Sequence, residues 1–273
     1  MRPIQVPFRH WMITFTTIVG ISGSASLQAQ EESSGAAQAN NPLANMTALN
    51  FHNYYIPTLT DAPDEAYLNY GWIRFARPFA EGRLLLRVSV PLNTVGTPDP
   101  LSSEVSSLNG LGDINAFVSY NFISKPTATV GIGPLLAAPT ATDQALGSGK
   151  WQGGVAFVAF IASSPVFQFG GLVTWQASFA GDSDRASTNL AAVQPFYFWQ
   201  LGKGTYLRGA PVWVFDIENE ALSIPLGLGI GKVVPVGNMM FNLFLEPQYT
   251  MIHKGTQPQI QLFTGINLQF MGN

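Results

Sequence analysis

A segment near the C-terminus, from Gln259 to Phe270, alternates between apolar and polar residues over its whole length. One parity is almost wholly apolar: Ile260, Leu262, Thr264, Ile266, Leu268 and Phe270. The other parity is polar or small, with Phe263 as the exception: Gln259, Gln261, Gly265, Asn267 and Gln269. A period of two predicts a β-strand with two chemically different faces. Crossing a bilayer takes about 9–11 tilted residues, so this segment predicts a membrane-spanning strand between lipid and a polar lumen.

The composition limits the class of protein to which such a strand can belong. Only 11% of the residues are charged, against the usual quarter, and no cysteine is present. After residue 30 there is no run of eighteen apolar residues, which disfavours a helical membrane protein. A transmembrane β-barrel has this composition because its apolar residues alternate with polar ones. The net charge of −3 and the lack of a basic domain argue against nucleic acid as a partner.

The first 29 residues resemble a secretory signal peptide. Arg2 and Arg9 precede a short hydrophobic stretch, and small residues follow it, with cleavage expected after Ala29 or after Ser26. A retained membrane anchor is the alternative, although the hydrophobic stretch is short for one. Residues 30–46 are rich in Glu, Ser, Ala, Gln and Asn and predict a flexible periplasmic leader.

From Thr47 onward the chain divides into segments of about ten to thirteen residues that are rich in aromatic and β-branched types. The predicted strands cover residues 47–55, 66–76, 83–91, 112–123, 127–138, 151–161, 167–177, 189–200, 205–215, 222–233, 239–251 and 259–270. Bacterial single-chain barrels have an even number of strands, and about twelve fits this rule. The sequence therefore predicts one all-β domain over residues 47–273, a transmembrane antiparallel up-and-down β-barrel of about 12 strands.

The connections between the predicted strands alternate in length, which orients the barrel. Outer-membrane barrels have short periplasmic turns and longer external loops. The longer connections, such as residues 92–111 and 139–150, are therefore expected outside, and both termini in the periplasm. The charges sort in the same way, because the longer connections are mainly acidic and the short turns mainly basic. We interpret the acidic rim as a solvated loop surface, with binding of divalent cations or cationic solutes as the alternative.

Charged side chains within the strands are expected to face the lumen, because an Arg on the lipid face near the midplane costs about 2–4 kcal/mol. This rule and the alternation give the lumen-lining candidates: Arg87, Asp113, Asn115, Gln194, Arg208, Asn242, Glu246, Gln248, Gln261 and Asn267. Arg74 shares its parity with Leu68 and Trp72, so either a bulge turns it inward or it snorkels towards the inner interface. Either these side chains set the selectivity of a channel, or an Arg–carboxylate network packs the lumen.

Catalysis and metal binding find little support in the sequence. Only His52 and His253 remain after signal removal, and the strand that bears His52 has no neighbouring Ser to form a nucleophile–base pair. Gly-Xaa-Gly stretches such as Gly131-Ile132-Gly133 are not followed by a helix that could bind phosphate. We therefore predict no catalytic residue, no metal site and no cofactor, and a protein that is not an enzyme.

Several stretches together resemble a known family. They include Asn41-Pro42-Leu43-Ala44, Gly110-Leu111-Gly112-Asp113, Gly131-Ile132-Gly133-Pro134, Pro139-Thr140-Ala141-Thr142-Asp143, Lys150-Trp151, Ala180-Gly181-Asp182-Ser183-Asp184-Arg185, Gln194-Pro195-Phe196 and Ile224-Pro225-Leu226-Gly227. The chain is similar here to the bacterial outer-membrane family associated with the meta-cleavage pathway of phenol degradation. The resemblance implies an outer-membrane β-barrel and suggests uptake of aromatic or other hydrophobic compounds. One departure is that Met271-Gly272-Asn273 follow Phe270, whereas many barrels end on an aromatic residue that the assembly machinery reads.

Taken together, these patterns predict a passive transporter or channel for small hydrophobic or aromatic compounds in the outer membrane of a Gram-negative bacterium. Its expected partners are outer-membrane lipid and lipopolysaccharide, the barrel-assembly machinery and a small hydrophobic solute. The second hypothesis is a non-conducting structural or interaction barrel of the outer membrane. The third is a soluble secreted β-sandwich or lipocalin-like binder.

Overall fold

The computed structural model describes residues 45–99 and 104–271 together with Asn40 and Ser102. The predicted signal peptide and the predicted leader, apart from Asn40, Asn45 and Met46, lie outside the described residues. The described chain is mainly β-strand, with two short 3₁₀ turns at Ala80–Gly82 and Gln144–Leu146 and no α-helix among these residues. No helix in this part of the chain is long and apolar enough to cross a membrane.

Fifteen strand segments of the described chain form one antiparallel sheet. They are β1 (Met46–Leu59), β2 (Tyr67–Phe79), β3 (Leu84–Pro98), β4 (Val105–Leu111), β5 (Ile114–Lys125), β6 (Ala128–Ala138), β7 (Lys150–Ile161), β8 (Phe167–Gly181), β9 (Asn189–Gly202), β10 (Thr205–Gly209), β11 (Trp213–Asp216), β12 (Ala221–Gly227), β13 (Gly229–Val236), β14 (Met239–Lys254) and β15 (Pro258–Met271). In three cases two consecutive segments run along one neighbouring strand: β4 and β5 along β3, β10 and β11 along β9, and β12 and β13 along β14. The segments therefore form twelve barrel strands.

The sheet closes on itself because β1 pairs with β15, from Met46 opposite Met271 to Leu59 opposite Pro258. The other barrel strands pair with their neighbours in sequence, so the topology is up-and-down. Closure leaves no sheet edge, which is what a β-structure in lipid requires. The predicted all-β barrel of about 12 strands is confirmed.

The outward face of the wall carries a broad apolar band. Ile132, Phe157 and Val173 lie opposite one another on β6, β7 and β8, and they are 45%, 39% and 41% exposed. Leu243 and Ile266 lie opposite each other on β14 and β15 and are equally exposed. Water-soluble proteins rarely expose apolar surface on this scale. We conclude that the barrel spans a membrane, which excludes the soluble β-sandwich or lipocalin-like binder.

The barrel has two different ends, here called the turn end and the loop end. The turn end carries the start of β1, the end of β15 and the short connections, for example residues 126–127 and 203–204. The loop end carries the longer connections, for example residues 139–149 and 182–188. The assignment of the turn end to the periplasm stays a prediction.

One predicted loop is partly strand. Residues 92–111 were expected to form an irregular external loop, but β3 continues to Pro98 and pairs with β4, with Leu92 opposite Leu111 and Pro98 opposite Val105. Most of β4 is exposed to solvent on both faces. Both parities of β4 carry polar residues, for example Ser106 on one and Ser107 and Asn109 on the other, so its sequence lacks the apolar alternation on which the strand prediction depends.

Two interruptions of the strands lie side by side in the wall. β10 ends at Gly209 and β11 begins at Trp213, and between them Pro211 has no backbone N–H to donate to a neighbour. β12 and β13, which pair with β11 and β10, are separated by Leu228. The sheet ladder therefore does not use the N–H of Ala210, which becomes available to the lumen.

The apolar band predicts a depth-dependent cost for a charge on the outer face. Val173→Arg lies in the middle of β8 and should destabilise the barrel by about 2–4 kcal/mol, because Arg is poorly solvated there. Val166→Arg, in the exposed connection before β8 at the turn end, is the matched control and should cost about 1 kcal/mol or less. Denaturant unfolding in lipid vesicles measures both values. Equal costs for the two variants would contradict the membrane placement.

Candidate functional site

The lumen contains a cavity of about 140 Å³, here called the lumen cavity. It lies nearer the turn end, because Met46 and Ala48 at the start of β1 and Gln269 near the end of β15 belong to its lining. Its other polar lining residues are Asn40, Asn50, His52, Arg74, Arg87, Gln194, Arg208, Asn242 and Asn267. Its apolar lining includes Leu85, Phe117, Val158, Leu172, Phe196, Phe198, Phe244 and Phe263. The cavity therefore combines cationic and aromatic groups.

Aromatic rings pack against the inner wall beside the lumen cavity. Phe263 stacks on Tyr54 with ring centroids 4.1 Å apart and meets Phe244 edge-on at 4.8 Å. The ring of Phe244 lies against the wall at Gly265, where a Cβ atom would come within 2.3 Å of the ring. Gly265 and Phe244 are opposite each other in register. Gly265, on the polar face of β15, thus leaves room for the ring of Phe244 on the neighbouring strand β14.

Arg208 and Glu246 form a buried ion pair in the lumen. The Arg208 Nε atom lies 2.8 Å from Glu246 Oε2, and the two side chains are 7% and 0% exposed. Glu246 Oε1 accepts hydrogen bonds from the Ala210 N–H, which the interruption of β10 leaves available, and from Gln248 Nε2, both at 2.8 Å. The Arg208 guanidinium also lies 3.6 Å from the ring centre of Phe244. The carboxylate of Glu246 is therefore fully used by its neighbours.

Arg74 also faces the lumen, which answers the question left open by its parity. It donates from Nη1 to His52 Nδ1 at 2.7 Å, and His52 Nε2 in turn donates to Asn267 Oδ1 at 2.7 Å. The register of β2 against β1 is continuous here, with Arg74 opposite Asn50, so no bulge turns the side chain. The guanidinium lies 4.7 Å from the ring centre of Trp72. In the sequence, the residues that share the parity of Arg74 look lipid-facing, because the inner wall of the barrel itself carries many aromatic side chains.

Arg87 has a different environment from the other two arginines. Its guanidinium lies 5.8 Å from the ring centre of Phe117. Within the described part of the chain, the structure shows no hydrogen bond from Arg87 to an acceptor and no carboxylate in contact with it. Arg87 is thus a lumenal cation without a counter-ion among the described residues.

The remaining polar candidates lie on the inner face but have different neighbours. Asn242 accepts a hydrogen bond from the Tyr206 hydroxyl and donates to Asn40 Oδ1 at 3.0 Å. Gln194 donates to the Ala210 carbonyl oxygen at 3.0 Å. The others lie outside the lining of the lumen cavity: Gln248 opposite Gln261 towards the loop end, both buried, and Asn115 opposite Ser89.

Asp113 lies elsewhere than expected. It was predicted in a strand facing the lumen, but it falls between β4 and β5 at the loop end. Its carboxylate accepts hydrogen bonds from the Ala141 N–H at 3.2 Å and from both the N–H and the hydroxyl of Ser148 at 2.7 Å. Arg185 donates to the Gly147 carbonyl oxygen of the same loop. Asp113 therefore shapes the loop at residues 139–149 and is not close to Arg87 and Arg208.

Sequence reasoning missed three polar contributors to the lumen cavity: Asn40, Asn50 and His52. His52 was considered only as a catalytic base, although it shares its parity with Asn50 and alternates with Leu49 and Phe51, a pattern that could have placed both polar residues inside. Asn40 belongs to the predicted leader, yet it is 5% exposed and lies in the lumen. No sequence pattern indicated this position. In the described residues, no group of three or more His, Cys, Asp or Glu side chains could hold a metal ion.

Comparison with known proteins agrees with this architecture. No protein-family model and no curated protein matches the chain. Among solved structures, the chain is similar to the COG4313 outer membrane channel from Pseudomonas putida F1, with a TM-score of 0.60 and 14% identity over 82% of this chain and 94% of that one. It is also similar to the NanC porin, with a TM-score of 0.52 and 8% identity over 82% of this chain and 100% of that one. Such low identities concern the fold and transfer no residue's role.

The buried ion pair predicts a large loss of stability when one partner is removed. Glu246→Ala should destabilise the barrel by about 3–5 kcal/mol, because it leaves Arg208 as a buried charge without its carboxylate. The matched control is Glu220→Ala, which breaks the exposed pair with Lys254 and should leave the unfolding midpoint unchanged. Denaturant unfolding of the refolded barrel measures both. If Glu246→Ala were as stable as the control, the pair would not hold the lumen together.

Proposed function

We propose that the protein is a passive channel of a Gram-negative outer membrane for small, partly apolar solutes, above all compounds with a single aromatic ring. The observation that carries this proposal is the lumen cavity, which has aromatic and polar walls. Its volume is about 140 Å³. An engineered apolar cavity of about 150 Å³ in another protein binds benzene, so the two cavities are similar in size. A single ring therefore fits where a sugar ring with its hydration shell does not.

The number of strands supports a narrow path rather than a wide pore. Eight strands leave room for side chains or one small ligand, and about sixteen leave an aqueous channel, so twelve strands lie between these cases. Towards the loop end the inner face carries Ile56, Gln248 and Gln261, all buried. A solute that passes must displace these side chains, which favours small, flat molecules over bulky hydrated ones.

The fold likenesses and the sequence resemblance support the same class of function. One of the similar structures is described as an outer membrane channel and another as a porin. The family that the sequence resembles suggests uptake of aromatic or other hydrophobic compounds. In this proposal the predicted signal peptide directs export, the assembly machinery inserts the barrel, and lipopolysaccharide surrounds its outer end.

The alternative is a non-conducting structural or interaction barrel. The ion pair between Arg208 and Glu246 favours it, because this pair and the rings of Phe244 and Phe263 fill part of the lumen. The two functions differ in one measurable property, since only the channel admits solutes.

Uptake by cells tests the proposal. Because lipopolysaccharide slows the passage of hydrophobic compounds, a porin-deficient Gram-negative strain that produces the protein should take up labelled phenol several-fold faster than the parent strain, with no gain for lactose. Gln194→Trp places a large side chain in the lumen cavity and should remove this gain. Ser183→Trp, in an exposed loop, is the matched control and should keep it.

The state of the barrel must be measured alongside uptake. Each variant is compared by its heat-modifiable band on unboiled gels, which reports a folded barrel. A folded barrel that admits neither phenol nor any other small solute would overturn the channel and support the non-conducting alternative.

A further inference from the structure

We infer that the lumen cavity is a binding site for small aromatic carboxylates, in which the guanidinium groups of Arg74 and Arg87 hold the carboxylate. This inference deepens the proposed function by naming the charge of the solute. It concerns binding in the cavity, which can be measured without transport.

The balance of charge in the lumen is the first argument. Arg74, Arg87 and Arg208 line the cavity, and Arg side chains stay protonated in proteins. Among the described residues, Glu246 is the carboxylate on the inner face at this level, and Arg208, Ala210 and Gln248 occupy both of its oxygens. Two cationic groups therefore share a confined lumen without a described counter-ion, which is costly in a medium of low dielectric constant.

The positions of the two arginines suit one shared anion. In the pairing of β2 with β3, Arg74 is opposite Ser89, and Arg87 is opposite Ala76. The arginines are thus diagonal neighbours on the inner face, and such positions are roughly 7–8 Å apart at the backbone, within reach of long side chains. Ser89 and Ala76, which lie opposite the two arginines, are small, and Ala76 lines the cavity together with Arg74 and Arg87. A carboxylate has two oxygens and can accept hydrogen bonds from both arginines.

Unused hydrogen-bond donors form the second argument. Arg74 Nε and Asn40 Nδ2 are buried, and neither has a hydrogen-bond partner in the described structure. Asn40 is 5% exposed, and both side chains line the cavity. Asn50 Oδ1 is an acceptor without a partner, but a rotated amide would present its NH₂ group instead. Buried donors without partners are rare and costly, so the cavity is suited to a ligand that accepts hydrogen bonds.

The apolar wall of the cavity determines which chemical group the rest of the ligand carries beside its carboxylate. Phe117, Phe196, Phe198 and Phe244 line the same cavity as the arginines. Its volume of about 140 Å³ accommodates one benzene-sized ring by comparison with known cavities. A sugar acid would leave its hydroxyl groups against these rings without partners, whereas an aromatic acid places an apolar ring there. The combination of two cations and a ring-sized apolar wall therefore selects an aromatic carboxylate.

Calorimetric titration of the detergent-purified full chain tests the inference with three probes of similar shape. Benzoate should bind at least tenfold more tightly than neutral benzyl alcohol, and benzylammonium should not bind. Raising the chloride concentration should weaken benzoate binding, because chloride competes for the guanidinium groups.

Variants locate the site. Arg87→Gln should reduce benzoate affinity about tenfold or more while leaving benzyl alcohol affinity unchanged, and Arg87→Lys should retain part of the preference because it keeps the charge. Arg83→Gln removes an exposed arginine at the turn end and serves as the matched control. The heat-modifiable band shows that each variant is folded, and the comparison of the three probes on the unaltered protein does not depend on any variant.

Three outcomes would overturn the inference: equal affinity for benzoate and benzyl alcohol, a preference that survives in Arg87→Gln, or benzoate binding that occurs only after Glu31→Gln and Glu32→Gln. The last result would assign the arginines to carboxylates of the chain's own leader. The phenol uptake assay distinguishes this inference from the proposed function. If phenol is taken up but benzoate does not bind more tightly than benzyl alcohol, only the inference is overturned. If benzoate binds but phenol is not taken up, only the proposed channel function is overturned.

Discussion

The ladder between β1 and β15 is the interaction on which the rest of this structure depends. Lipid offers no hydrogen-bond partner to the backbone, so a sheet can cross a membrane only when its first strand pairs with its last. Once the wall is closed, each strand must turn one parity outward and the other inward. The lipid-facing band and the lumen follow from this closure, and the pairing sets which lumenal groups meet at the seam, where Asn50, His52 and Tyr54 lie opposite Asn267, Gly265 and Phe263.

Closure also explains why the lumen is chemically mixed. Twelve strands enclose too little space for a wide aqueous pore, so large side chains on the inner face must pack against one another. Gly265 accommodates Phe244, and the interruption at Ala210–Val212 supplies the N–H that Glu246 accepts. The ion pair of Arg208 with Glu246 and the rings around it thus form a packed side of the lumen, whereas Arg74 and Arg87 line the cavity without a carboxylate partner among the described residues. This asymmetry gives the lumen one closely packed wall and one cationic wall.

Much of the fold could be predicted from the sequence because lipid imposes a strict alternation. The strand from Gln259 to Phe270 is recognisable from its period of two alone, and the inward position of Arg87, Arg208 and Glu246 follows from the cost of a charge in lipid. The same reasoning failed at the loop end of the barrel. β4 has polar residues on both parities, and Asp113 accepts hydrogen bonds from the backbone of Ala141 and Ser148 and does not meet a lumenal arginine.

The sequence by itself determined the barrel, a strand number of about twelve and the lumenal parity of strands such as the last one, because these depend on a contrast between lipid and water that acts on each residue separately. Only the tertiary structure decided which lumenal groups meet. Arg208 and Glu246 are 38 positions apart, and His52 and Asn267 are 215 apart. Their contacts depend on strand register and on small residues such as Gly265 that make room for others, and these are properties of pairs of strands. For that reason the two arginines without a partner carboxylate became visible only in the closed barrel.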